Sequence, residues 1–237
     1  MVASQATEVA FGGQFQKSRE LRRRAVEMAK RTGLTERPSL YFGTQALQEA
    51  QVGYLSAARE TAGKSLDVAR DLNNVPRVAL ALALAGSTGP AQALMEGLTK
   101  RYSQDTLLKE VEVPSVQAAA ETSRGNARRA VELLESASAY ELSSGSYYVL
   151  PLRGQAYLRA GAGKEAAAAY QKILDHRGLF VGIEYSLAHL GLGRAQALAG
   201  NTAEARKAYQ DFLALWKDAD PDIPILKEAQ QEYAKLK

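Results

Sequence analysis

Small residues recur through this chain in pairs twelve positions apart, and that recurrence limits the fold more than any other feature of the sequence. Gly193 and Ala205 form the clearest pair, with the bulky Tyr209 four positions further on. Shifted back by 39 residues the pattern returns as Gly154, Ala166 and Tyr170. Before that it appears as Ala118, Ala130 and Leu134, as Ala79, Ala91 and Met95, and as Ala46, Ala58 and Ala62, with a first set starting at Ala6 and Ser18. The second members fall at 18, 58, 91, 130, 166 and 205, at spacings of 40, 33, 39, 36 and 39 residues. Units this short cannot bury an apolar face alone; they bury it by stacking on one another.

Composition makes the units helical. The 237 residues are rich in Ala, Leu, Glu, Lys, Arg and Gln, contain only 7 prolines, and hold no convincing strand-like alternation. On a helix pair, the two small residues let the backbones approach, and the bulky residue fills the space against the next unit. Pro38, Pro76, Pro114 and Pro151 fall near the starts of first helices, where a missing N–H costs nothing. Gly125-Asn126 and Asn201-Thr202 punctuate turns within pairs. The expected fold class is all-α. With Leu150 and Tyr157 at the large apolar and aromatic positions, the pattern resembles the tetratricopeptide repeat, whose period is about 34 residues. That resemblance implies a right-handed superhelical solenoid of about six helix pairs over residues 1–221. Residues 222–237 then form a capping helix, with Leu226, Ala229, Tyr233 and Leu236 as one apolar stripe. Gln196 stands where the repeat usually has an aromatic, leaving a weaker joint or a polar contact.

Several chemistries are excluded by residue type and spacing. A dinucleotide fingerprint starting at Gly191 would need glycine where Gln196 stands, and no strand precedes it. Gly63-Lys64-Ser65 has Ala58 where a P-loop requires glycine, and Glu165 replaces the magnesium-binding hydroxyl in "GAGKE". The absence of cysteine removes disulfides, Cys-ligated metals and thiol catalysis. Of the 2 histidines, His176 falls at a helix end, where a cation suits the terminus, and His189 occupies a packed large-residue position. Asp218, Asp220 and Asp222 lack the glycine and glutamate of a calcium loop, and a turn with Asp222 as N-cap is expected instead. No nucleophile has a plausible histidine partner. A chain without catalytic residues, metal or cofactor is therefore expected.

The formal charge is +4, but acidic residues are mixed in throughout, so no nucleic-acid partner is expected. The run "RELRRR" at 19–24 points its arginines about 100° apart on a helix and is expected to be a solvated face. The first residues lack the basic start and apolar core of a signal peptide, and the apolar run at 78–86 is too short to span a bilayer. No direct membrane insertion is expected.

The stretches "LDHRG" at 174–178 and "LWKDADPDIPILKEA" at 215–229 resemble the tetratricopeptide region that follows the kinase domain in bacterial serine/threonine protein kinases of the acidobacterial type. "FGGQFQKSRELRRRAVEMA" and "ALALALAGSTGPAQAL" extend the likeness loosely over nearly the whole chain. The kinase motifs H-R-D, D-F-G, V-A-I-K and the Gly-rich loop are missing, so a free-standing or excised scaffold is expected. The resemblance implies a cytoplasmic scaffold, or one on the periplasmic side of a membrane-tethered parent. It further implies binding of a protein or peptide in the concave groove, as the sensor or docking arm of a signalling kinase. The repeat family's groove offsets select Tyr148, Gln155, Arg159 and Arg194, an aromatic and arginines suited to an acidic segment. The Lys and Asn set of chaperone-tail binders is absent at those sites. In the insertion "HRGLFVGIEYS", Phe180, Val181, Ile183 and Tyr185 either pack over a neighbouring repeat or form a docking patch. A small-ligand sensor and a self-association module are the alternatives.

Overall fold

A computed structural model describes residues 2–143 and 148–236, in which thirteen α-helices and no strand occur. The helices are α1 (Val2–Phe11), α2 (Phe15–Arg31), α3 (Arg37–Gln51), α4 (Leu55–Val68), α5 (Val75–Leu84), α6 (Thr88–Arg101) and α7 (Val113–Ser123). They continue as α8 (Ala127–Leu133), α9 (Val149–Arg159), α10 (Gly163–Asp175), α11 (Ile183–Leu198), α12 (Thr202–Leu215) and α13 (Pro224–Lys235). The fold is all-α. Successive helices pack as pairs, α1 with α2 through α11 with α12, and the first helices α3, α5, α7, α9 and α11 also pack in series along one side. Prolines open α3, α5, α7 and α13.

Every small-residue pair of the sequence falls on one helix pair, its first member on the first helix and its second on the second, and all twelve residues are buried. In the first pair the two touch, the Ser18 hydroxyl donating to the Ala6 carbonyl at 2.8 Å. Glycine is needed where a tyrosine comes between backbones. A Cβ on Gly154 would lie 2.7 Å from the Tyr170 ring and one on Gly191 only 2.4 Å from it, so Tyr170 is clamped between α9 and α11. Tyr209 presses on Gly193 in the same way, at 2.8 Å.

A second repeat runs in phase with the first. Gly13, Gly53, Gly86, Gly125, Gly161 and Gly200 each stand five residues before a second-helix marker, and each adopts a left-handed φ between 75° and 94°. In the last pair, the Gly200 N–H donates to the Ala197 carbonyl at 3.1 Å and the Asn201 N–H to the Gln196 carbonyl at 2.9 Å. The Asn201 carbonyl then receives the Ala205 N–H at 3.0 Å, closing the first turn of α12. This turn satisfies the orphan carbonyls of the first helix and fixes the start of the second. At Gln196 the outcome is a polar contact, its Oε1 accepting from Asn201 Nδ2 at 2.7 Å.

The stack curls until its ends meet. The Phe11 carbonyl, at the end of α1, accepts both the Ser186 hydroxyl at 2.8 Å and the Trp216 indole N–H at 3.0 Å. Phe15, Phe212, Trp216 and Ile223 are buried in one cluster shared by the first and last pairs. Asp220 does what no residue near Gln14 does for α2: its Oδ2 accepts the Gln16 N–H at 2.8 Å, capping a helix 204 residues away in the chain. The expected N-cap at Asp222 is replaced, since Ile223 holds that position in α13 and no side chain caps the helix. The apolar stripe of α13 does cover the end of the stack, with Leu226 and Ala229 buried in the same cluster.

The RELRRR run departs from its expected role as a solvated face. Arg22 lies four positions after Ser18, the register place of Tyr170 and Tyr209, and is only 3% exposed. It hydrogen-bonds Gln48 Oε1 at 2.6 Å, and burial, opposed by the Glu49 charge, pulls its pKa down to about 10. Arg19 also turns inward, to Glu49 at 2.8 Å and over the Tyr54 ring, while Arg23 and Arg24 stay exposed.

Two thermal-melt comparisons test this packing. Gly191→Ala, which drives a methyl into Tyr170, should cost about 1–3 kcal/mol, whereas Gly97→Ala, mid-helix in α6 with open space around it, should gain about 0.5–1 kcal/mol. Trp216→Ala should lose about 3–5 kcal/mol, the range for a large buried aromatic, and expose the first pair to early amide exchange.

Candidate binding pocket

Curvature leaves a pocket of about 460 Å³ on the side lined by the first helices. Four of them, α3, α5, α9 and α11, contribute the same face. Residues one and five positions past the small-residue marker are Leu80 and Leu84 on α5, Gln155 and Arg159 on α9 and Arg194 on α11, with Gln51 at the fifth position on α3. Tyr148, Leu152, Leu187 and Tyr170 supply apolar and aromatic wall, and α13 closes one side with Ile225, Glu228 and Glu232.

All four residues selected by the groove offsets line this pocket, in different states. Arg159 is exposed at the rim and Gln155 is partly exposed beside it. Tyr148 is largely buried, and its hydroxyl favours the ionised form of Glu112. Arg194 is already engaged: its Nε meets Glu232 Oε2 at 2.8 Å, and its Nη2 meets Glu232 Oε1 at 3.0 Å and Glu228 Oε2 at 3.1 Å. Burial opposes the charge of Arg194, but these carboxylates more than offset it and raise its pKa. The Tyr209 hydroxyl also donates to Glu232, at 2.9 Å. The acidic segment expected opposite Arg194 is thus supplied by the chain's own last helix.

No repeat position or motif singles out Glu184. It sits in the first turn of α11, inside the insertion where repeat offsets do not apply, and lines the pocket, partly buried. Burial pushes its carboxyl pKa up, against its own backbone N–H, the Gln51 side chain and the charge of Arg77, which all favour the ionised form. Glu112 is raised for the same first cause, with Tyr148 and Arg77 opposing. Leu80, Leu84 and Gln51 were also missed, although extending the α9 offsets to the other units selects them.

Three of the four apolar candidates in the insertion pack inward. Phe180 and Ile183 are buried, and Tyr185 stacks on Phe11 with ring centroids 6.2 Å apart. Leu179, at 45% exposure, and Val181, at 73%, face outward, while the rest of the insertion bridges α10 and α11 and packs over the first pair. His176 ends α10 with Nδ1 2.8 Å from the Lys172 carbonyl oxygen. His189 is half-buried against Tyr185, 3.9 Å from Asp211, and burial lowers its pKa. Among the described residues, no group of three His, Asp or Glu could hold a metal ion, and no helix is long and apolar enough to cross a membrane.

No protein-family model matches this sequence, and no curated protein matches it significantly.

Glu184 offers a direct test of the pocket's electrostatic cost. Its folded-state pKa lies above the ordinary 4.5. Its contribution to stability is therefore fully present below that value and is lost as pH rises through the folded pKa. Glu184→Gln should raise the melting temperature near pH 7, and the gain over wild type should shrink as the pH is lowered toward 4.

Proposed function

We propose that this chain is a tetratricopeptide-type solenoid, right-handed and of about six helix pairs, that works as a non-catalytic binding module and holds a peptide segment of a partner protein in its concave pocket. Tyr148, Gln155, Arg159 and Arg194, chosen from sequence by groove offsets alone, line one pocket together with Leu80, Leu84 and Gln51 from equivalent positions; that convergence carries the proposal. Apolar wall with a few polar groups is the usual make-up of a recognition site. The likeness to kinase-associated repeats adds a context, a docking or sensing arm of a bacterial signalling protein. Because α13 engages Arg194, the cation left toward an incoming chain among the described residues of the pocket lining is Arg159, which is exposed at the rim.

The enclosure of the pocket favours a second reading, a small-ligand sensor. A volume of about 460 Å³ falls within the range of small-molecule sites.

Gln155→Trp, which fills the pocket from α9, separates pocket binding from binding elsewhere. Peptides selected on the wild-type chain from a random display library should lose at least about tenfold in affinity on this variant, the scale of one obstructed anchor, while circular dichroism stays unchanged. Undiminished binding would place recognition outside the pocket.

A further inference from the structure

Building on the pocket's role as a peptide site, we propose that the part of it lined by Glu184 and Gln51 receives the free amino terminus of a peptide. Glu184 and Gln51 take the α-ammonium group, and the first side chain rests against Leu80, Leu84 and Leu187.

Arg159 on α9 is exposed, whereas Gln155 beside it and Glu184 and Gln51, on α11 and α3, are partly buried. A ligand in the pocket therefore meets a cation on α9 and a carboxylate on α11. Around Glu184 and Gln51 the hydrogen-bonding supply is unbalanced toward acceptors. An ionised carboxylate only accepts, so Gln51 must turn its amide N–H toward Glu184. The Gln51 Oε1 is then left buried with no partner among the described residues. A buried acceptor without a donor is costly and calls for an explanation in a bound group. An ammonium group brings three N–H donors and a positive charge, which matches one amide oxygen and one carboxylate.

The apolar wall then selects among cations. A hydrated ion would leave the lining leucines wet, whereas an α-ammonium is attached directly to a carbon whose side chain can cover them. The charge of Arg77 already acts on Glu184, but it acts on Glu112 and Arg22 as well, and burial still outweighs it at Glu184. Beyond the first residue, the peptide carbonyls run toward Gln155 and Arg159, both of which donate. Glu184 and Arg194 are ten residues apart on α11, about 15 Å along the axis, so the pocket is suited to a short chain end.

The test uses two lysine-free octapeptide pools with leucine first and a fluorescent label at the carboxyl end, identical except that one is N-acetylated. Fluorescence anisotropy against the full chain should give about ten- to a hundredfold tighter binding for the free pool, the scale of a charge-assisted hydrogen-bond pair. Glu184→Gln, and independently Gln51→Met, should shrink that difference without weakening the acetylated pool. Equal binding of the two pools to the wild-type chain would overturn the amino-terminus assignment while leaving the peptide site standing. Binding of neither pool would overturn both.

Discussion

The contact on which the rest of the molecule depends is the approach of two helix backbones over a side chain small enough to admit it. At Gly154, Gly191 and Gly193 nothing larger than hydrogen fits, because a tyrosine ring lies within 3 Å of where a Cβ would stand. Ala46, Ala79 and Ala118 do the same work in earlier pairs with more room. Since each first helix is held at one angle to its neighbours, the small errors of a looser stack do not accumulate, and the curve is steady enough for the first pair to meet the last. The left-handed glycine turns reinforce this by starting every second helix from the same geometry.

Closure turns a curved surface into a pocket. The Phe11 carbonyl, the Asp220 carboxylate and the shared cluster around Trp216 tie together segments some 200 residues apart. Such long-range contacts close large loops, whose entropy grows only slowly with length, so a few well-made bonds and one buried cluster suffice. Charged groups are also drawn in along the stack. Arg22, Glu112 and Glu184 are each shifted against their charged forms by burial. A fold that needed only to stack helices would fill these places with leucine. Charge retained at such a cost is common where binding sets the requirement.

The helical repeat was legible in full. All six pairs, their markers and the opening prolines stand where periodicity put them, because they follow from local backbone geometry and side-chain size. Legibility ended where a residue's partner lay far along the chain. Arg22 is instructive: taken with Arg23 and Arg24 it looks like a solvated run, yet four positions past Ser18 it holds a core place, and its own repeat register carried that information. For Glu184 there was no comparable signal, since the insertion that carries it breaks the register. Phe180 and Ile183 were recognised as too apolar to leave in water, but what covers them, the first helix pair, could not be read from neighbouring residues.

The sequence by itself determined that the chain is helical, where each helix begins and turns, and which face of each first helix points inward. Those properties are set by residues within one or two turns of each other. The tertiary structure alone decided that the two ends meet, that α13 satisfies Arg194 from within, and that Glu184 and Gln51 line one pocket. Each of these depends on curvature summed over six pairs, and a sum of small angles is fixed by packing throughout the stack and written at no single position.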